Sequence, residues 1–102
     1  MKELRIEPEV FDDLVEAAAW YDEQQPGVGD RFLASMRKLM ETIAERPDSF
    51  AREEGRIHFA MEKPFPYKIY YANRKSTVRI IAVLHSALHP STWKSRAHLD
   101  DE

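Results

Sequence analysis

The side chains with the widest chemical reach in this sequence lie in its second half. His85 can give or take a proton near neutral pH. Glu53 and Glu54 can act as bases, and Arg56, Lys63, Lys68 and Arg79 can offset developing negative charge. His85 is also read as a plain strand-end histidine whose ring is satisfied by its neighbours. His85 and His89 stand four residues apart, a spacing that invites a metal. The pair straddles a strand end, though, with no acidic third ligand nearby and Pro90 directly after, so no metal site is expected. With no cysteine there is neither a disulfide framework nor a thiolate site, which suits a reducing compartment. No cofactor is expected.

The elements that must position these groups follow from periodicity. Leu4 and Ile6 alternate with Glu3, Arg5 and Glu7, predicting a strand over Lys2 to Glu7. Pro8 suits the first turn of a helix, and Glu7, Glu9, Asp12 and Asp13 place negative charge at its positive end. That helix is expected from Pro8 to Gln24, with Phe11, Leu14, Val15, Ala18 and Tyr21 as its core-facing stripe. Trp20 falls off the stripe and needs cover from elsewhere. The turn-formers Gln25 to Gly29 break the pattern. Phe32, Met36, Leu39, Met40 and Ile43 then resume helical spacing up to Arg46-Pro47, completing a helical hairpin with the methionines as core fillers.

Beyond Pro47 the period changes to two. Ile57 to Met61, Tyr67 to Asn73 and Val78 to His85 read as three further strands. They are joined by Lys63-Pro64-Phe65-Pro66 and by the polar loop Asn73 to Thr77. The last strand is apolar on both faces and is expected to be central. One of the adjacent pair Tyr70 and Tyr71 is expected in the core, because strand side chains alternate. The order β-α-α-β-β-β gives an α+β fold, a helical hairpin on one face of a mainly antiparallel four-stranded sheet. Ser91 to Glu102 is read either as a short helix or as a tail ordered on binding.

A chain of 102 residues has room for one domain, so residues 1–102 are taken as one. Its 43% hydrophobic and 32% charged residues are those of a folded chain. No apolar run approaches a membrane span, and a soluble cytoplasmic protein is expected. The net charge of −3 hides a division. Residues 1–50 carry 6 Lys and Arg against 12 Asp and Glu, a net −6, whereas residues 51–102 carry 9 against 6, a net +3. Any face that meets polyanions comes from the second half; the bland alternative is that acidic helices and basic strands keep each other soluble.

Several phrases together resemble the RelE/ParE superfamily of bacterial toxins, on its ParE side. Asp13-Leu14-Val15-Glu16-Ala17-Ala18-Ala19-Trp20-Tyr21 is similar to the family's first helix. Phe32 with Ile43 and Pro47-Asp48-Ser49-Phe50 is similar to the second helix and its Pro-x-x-aromatic sequel. Phe65-Pro66-Tyr67-Lys68-Ile69-Tyr70-Tyr71 resembles a ParE-side signature. Ile80 to His85, continued to Pro90, Trp93 and Arg96, resembles the family's ending. Two departures deplete the family's cationic site: Ser86-Ala87-Leu88-His89 stands where many relatives have two arginines and an acid, and Pro64 where a basic residue often precedes Phe-Pro-Tyr.

The resemblance implies the toxin half of a type II toxin–antitoxin pair. On the ParE side it implies a protein that poisons DNA gyrase by binding, with Lys68, Tyr70, His85, Trp93 and Arg96 as target contacts. On the RelE side it implies a ribosome-dependent messenger-RNA endoribonuclease with His85, Arg79 and Arg56 as catalytic candidates. The acidic balance favours the former, since an RNA backbone rewards positive charge. A degenerate, non-toxic member that binds an antitoxin and helps repress their operon is the third reading. The implied partner is an antitoxin, through which alone DNA would be contacted, with Trp20, Tyr21 and Met36 as candidates for its binding surface and an exposed strand edge as another.

Overall fold

The computed structural model describes residues 1–88 and 90–97. His89, and with it the His85–His89 pair, lies outside the described residues, as does the end of the tail, residues 98–102. The elements run β1 (Glu3–Ile6), α1 (Pro8–Gln24), α2 (Val28–Glu45), a 3-10 turn (Pro47–Ser49), β2 (Ala51–Glu54), β3 (Ile57–Ala60), β4 (Tyr67–Asn73), β5 (Thr77–His85) and α3 (Ser91–Ala97). The class is α+β, as the residue pattern implies. The sheet has five strands rather than four, in the order β1-β5-β4-β3-β2. The additional strand, β2, reads Ala-Arg-Glu-Glu, is exposed along its whole length, and pairs with β3 across a bulge. Charged residues on an outermost strand discourage pairing with other chains, and they also remove the alternation by which a strand is recognised.

β5 is central, flanked by β4 antiparallel and by β1 parallel. Its doubly apolar character has a local cause. Tyr70 pairs with Ala82 but Tyr71 pairs with Ile80, so Ile81 is an extra residue on β5. The bulge rotates the strand by one position. Val78, Ile80 and Val83 face the helical hairpin, while Ile81, Ala82 and Leu84 face the opposite side.

Two cores result. The larger lies between sheet and hairpin and contains Val10, Phe32, Met36, Met40, Ile43, Ile69 and Tyr71. The smaller lies on the other face, where α3 lays Trp93 over Tyr70 and Ile81. The stripe that α1 buries is Val10, Leu14, Ala17, Ala18 and Tyr21, about one residue off the expected one; Phe11 and Val15 are exposed. α1 carries apolar residues around a wide arc, and the sheet selects one side of it. Both Tyr70 and Tyr71 are buried, one in each core, because the sheet is covered on both faces.

Tyr71 ties the larger core to the segment after α2. Its hydroxyl donates to the Pro47 carbonyl at 2.6 Å, and its ring stacks on His58, whose Nδ1 lies 3.0 Å from the Phe50 carbonyl oxygen. Burial, and secondarily the Asp48 carboxylate, push the Tyr71 phenol well above its ordinary value of 10.0. A proton retained in the folded state but lost in the unfolded one makes stability fall as pH rises past the unfolded value. The chain is therefore expected to lose stability above about pH 10. Tyr71→Phe, destabilised by roughly 1–2 kcal/mol at neutral pH, should show a smaller alkaline loss in urea titrations at pH 8 and pH 11. Equal losses in the two proteins would refute the assignment.

Candidate functional site

The chemically capable residues fall into four places. His85 ends β5 opposite Tyr67, and the two rings meet edge to face at 5.4 Å. Its Nδ1 accepts the Ala87 N–H at 3.0 Å, so a neutral ring carries its hydrogen on Nε2, at an exposed position. Arg79 and Arg56 stand at the other end of the sheet. Arg79 pairs with Ala72, and Ala72 with Ile57, the residue after Arg56. Six strand positions separate Arg79 from His85, about 20 Å. Arg79 is buried and its Nε donates to the Glu7 carboxylate in an ion pair that joins β5 to the residue before α1. The three catalytic candidates are thus not brought together.

Lys68, Tyr70 and Trp93 do converge, on the sheet face away from the helical hairpin. Trp93 is 2% exposed and stacks on Tyr70 at 5.2 Å with an interplanar angle of 16°. Tyr70 is also buried, and this desolvation, with Glu53 nearby, raises its phenol above the ordinary range. Lys68 is half-buried with its Nζ 4.4 Å from the centre of the Phe59 ring, a cation–π contact. Of this trio only Lys68 presents itself to solvent; Tyr70 and Trp93 hold α3 against the sheet. Among the antitoxin candidates Trp20 is exposed, Tyr21 is half-buried against Phe32 and Phe65, and Met36 is buried in the larger core. Met36 presents no surface, because its turn of α2 points at the sheet.

Arg96 marks the fourth place. It forms a bidentate pair with Asp13, Nη1 to Oδ2 at 2.7 Å and Nη2 to Oδ1 at 3.0 Å, and its Nη1 also reaches the Ile81 carbonyl at 3.2 Å. Asp13 Oδ2 in turn accepts the Val83 N–H at 2.9 Å. Arg96 is held charged more firmly than usual, first by the hydrogen bonds it donates to Asp13 and against the opposing effect of burial. Two of the second half's cations are thus neutralised by first-half acids, Glu7 and Asp13, which locally closes the division of charge seen along the chain.

Next to this pair a groove of about 210 Å³ opens between α1 and the end of β5, with Trp20 and Leu88 on its walls and Glu16, Tyr67 and His85 around it. Sequence reasoning singled out Trp20 and His85 but not Asp13, Glu16 and Leu88 as their neighbours. The helical spacing Asp13, Glu16, Ala17 and Trp20, at i, i+3, i+4 and i+7, was the available signal. Among the described residues no group of three or more His, Asp or Glu side chains is placed to hold a metal ion, and no helix is long and apolar enough to cross a membrane.

Compared with known proteins, residues 4–88 match the family model described as the ParE toxin of the type II toxin–antitoxin system, parDE. The matched span takes in almost all of β1, the helical hairpin and the remaining strands. The fold is similar to that of a chain of the chromosomal ParDE TA system from P. aeruginosa. The TM-score is 0.63 at 12% sequence identity, over 83% of this chain and 96% of that one. No curated protein matches by sequence.

Proposed function

Because the chain belongs to the ParE toxin family of type II toxin–antitoxin systems, we propose that it is a single-domain cytoplasmic toxin that inhibits DNA gyrase by binding it and is neutralised by a cognate antitoxin. The observation that carries this reading is the family match over residues 4–88, which covers the elements that build the sheet and the hairpin. The scattering of the catalytic candidates supports binding over chemistry. General acid–base cleavage of RNA needs its proton donor and its cations within hydrogen-bond reach of one phosphate. Here His85 lies about 20 Å from Arg79, and Arg79 is already engaged by Glu7. His85 and Lys68 remain the accessible target-contact candidates, and Trp20 the accessible one for the antitoxin.

Inducing the gene alone in a bacterial host tests the reading. Filamentation with DNA-damage signalling is the expected result, relieved by co-expression of the adjacent antitoxin gene. Translation arrest with cleaved transcripts would instead establish the ribonuclease reading, and normal growth the degenerate one. His85→Ala is expected to relieve the filamentation while moving Tm by less than about 4 °C, as befits an exposed contact residue.

A further inference from the structure

The central strand outruns its parallel neighbour. β1 pairs with β5 only as far as Ile80, whose carbonyl accepts the Glu7 N–H at 3.1 Å, while β5 continues to His85. Along this remaining stretch no strand flanks β5 on the β1 side, among the described residues. The Ser86 N–H donates to the Pro66 carbonyl, which fixes the phase of the β4–β5 ladder. Ladder alternation then directs the backbone groups of Val83 and His85 away from β4, toward the missing neighbour. Part of this edge is satisfied internally: Asp13 takes the Val83 N–H, Arg96 the Ile81 carbonyl and the Leu88 N–H the His85 carbonyl, so the Val83 carbonyl and the His85 N–H are the groups directed into the gap. Past them lies the groove, bounded by Trp20, 54% exposed, and Leu88, 51% exposed.

The charge on the groove wall is one-sided. α1 carries six acidic residues, Glu9, Asp12, Asp13, Glu16, Asp22 and Glu23, and no basic one. Glu9, Asp13, Glu16, Trp20 and Glu23 share one side of the helix, recurring at i, i+4, i+7, i+11 and i+14. Asp13 already holds a guanidinium, that of Arg96, which shows the chemistry this wall accepts. We infer that the groove between α1 and the C-terminal end of β5 is a docking site for a short extended segment of a partner protein, in which lysines or arginines alternate with apolar residues. The segment adds to the sheet where β1 stops. Its backbone meets the Val83 carbonyl and the His85 N–H, its apolar side chains pack between Trp20 and Leu88, and its cations face Glu16 and its acidic neighbours. Unlike Phe11, Val15 and Leu33, which are exposed on the helical hairpin, this surface combines apolar walls with backbone groups directed into it. The inference deepens the proposed function by assigning chemistry to an antitoxin's docking segment, yet its test requires neither toxicity nor an antitoxin.

Nitrogen-15 labelled full-length protein is titrated with an acetylated, amidated nonapeptide of alternating Lys and Val. The counterpart of alternating Glu and Val and a helical peptide of Lys, Leu and Ala serve as comparisons. Saturable shifts at the Trp20 indole N–H and the His85 amide are expected with the Lys–Val peptide. Glu16→Lys and Trp20→Ala, both at exposed positions, are each expected to weaken binding about tenfold. Four results would each overturn the inference: no saturable binding of the Lys–Val peptide, equal binding of the Glu–Val peptide, tighter binding of the helical one, or shifts confined to the β2 edge. None of these touches the growth phenotype on induction, so the inference and the proposed function fail separately.

Discussion

Gly29→Val is expected to lower folding stability by roughly 3 kcal/mol, and Gly29→Ala by about 2 kcal/mol. Gly29 lies in the first turn of α2, at the point where the two helices of the hairpin come together. A Cβ added there would sit 2.5 Å from the backbone carbonyl oxygen of Ala18 and 2.6 Å from the Asp22 carboxylate. The carboxylate could swing aside, but only by giving up the hydrogen bonds it accepts from the Gly29 N–H at 2.8 Å and the Gly27 N–H at 3.2 Å. These two bonds satisfy N–H groups at the start of α2, where no preceding turn can do so. The Ala18 carbonyl belongs to α1 and cannot move without the helix. Separating the helices would loosen Phe32, which packs against Tyr21, Phe65 and Tyr67. Urea denaturation of both variants measures the loss, and a midpoint unchanged from the parent protein would show that the helices are not in close contact there.

Asp13→Ala is expected to cost roughly 2–3 kcal/mol, and Arg96→Ala about 1–2 kcal/mol. The asymmetry follows from what each change strands. The Asp13 side chain is 9% exposed and that of Arg96 21%. Removing the carboxylate leaves the Val83 N–H without its acceptor and Arg96 without its counter-charge. Removing the guanidinium leaves Asp13 still bonded to Val83. Arg96 also sits on the short peripheral helix α3 and can turn toward water. The double substitution should therefore be less harmful than the two single losses combined, by about 1 kcal/mol or more. Strict additivity in a urea double-mutant cycle would mean that the pair does not couple α3 to α1.

The sequence disclosed what rests on periodicity and concealed what rests on distant pairing. α1, β4 and β5 carry unbroken patterns, and their limits agree with the expected ones to within a residue. β2 was illegible because Arg52, Glu53 and Glu54 all face water and no apolar partner marks a face. Gly29 read as part of a loop, since a glycine that serves close helix packing has the same composition signal as one that serves a turn. The stripe on α1 was misplaced by about one residue because Phe11 and Val15 are as apolar as Val10 and Ala17, and only the sheet beneath decides which are covered. Glu7 with Arg79 and Asp13 with Arg96 are partners more than seventy residues apart, which no local rule connects. Tyr70 and Trp93 are buried against each other because the aromatic residues that could anchor a partner here anchor α3, whereas Lys68 stays at the surface.

The pairing of the first strand with the last has a consequence for biosynthesis. Glu3 meets Thr77 and Ile6 meets Ile80, so β1 waits for residues that are synthesised more than seventy positions later. Contacts of such long sequence separation form slowly and only once the intervening chain is in place. A polypeptide truncated anywhere before residue 77 has no site for β1, no β5 and no support for either core. The five-stranded sheet can therefore close only after β5 has been made.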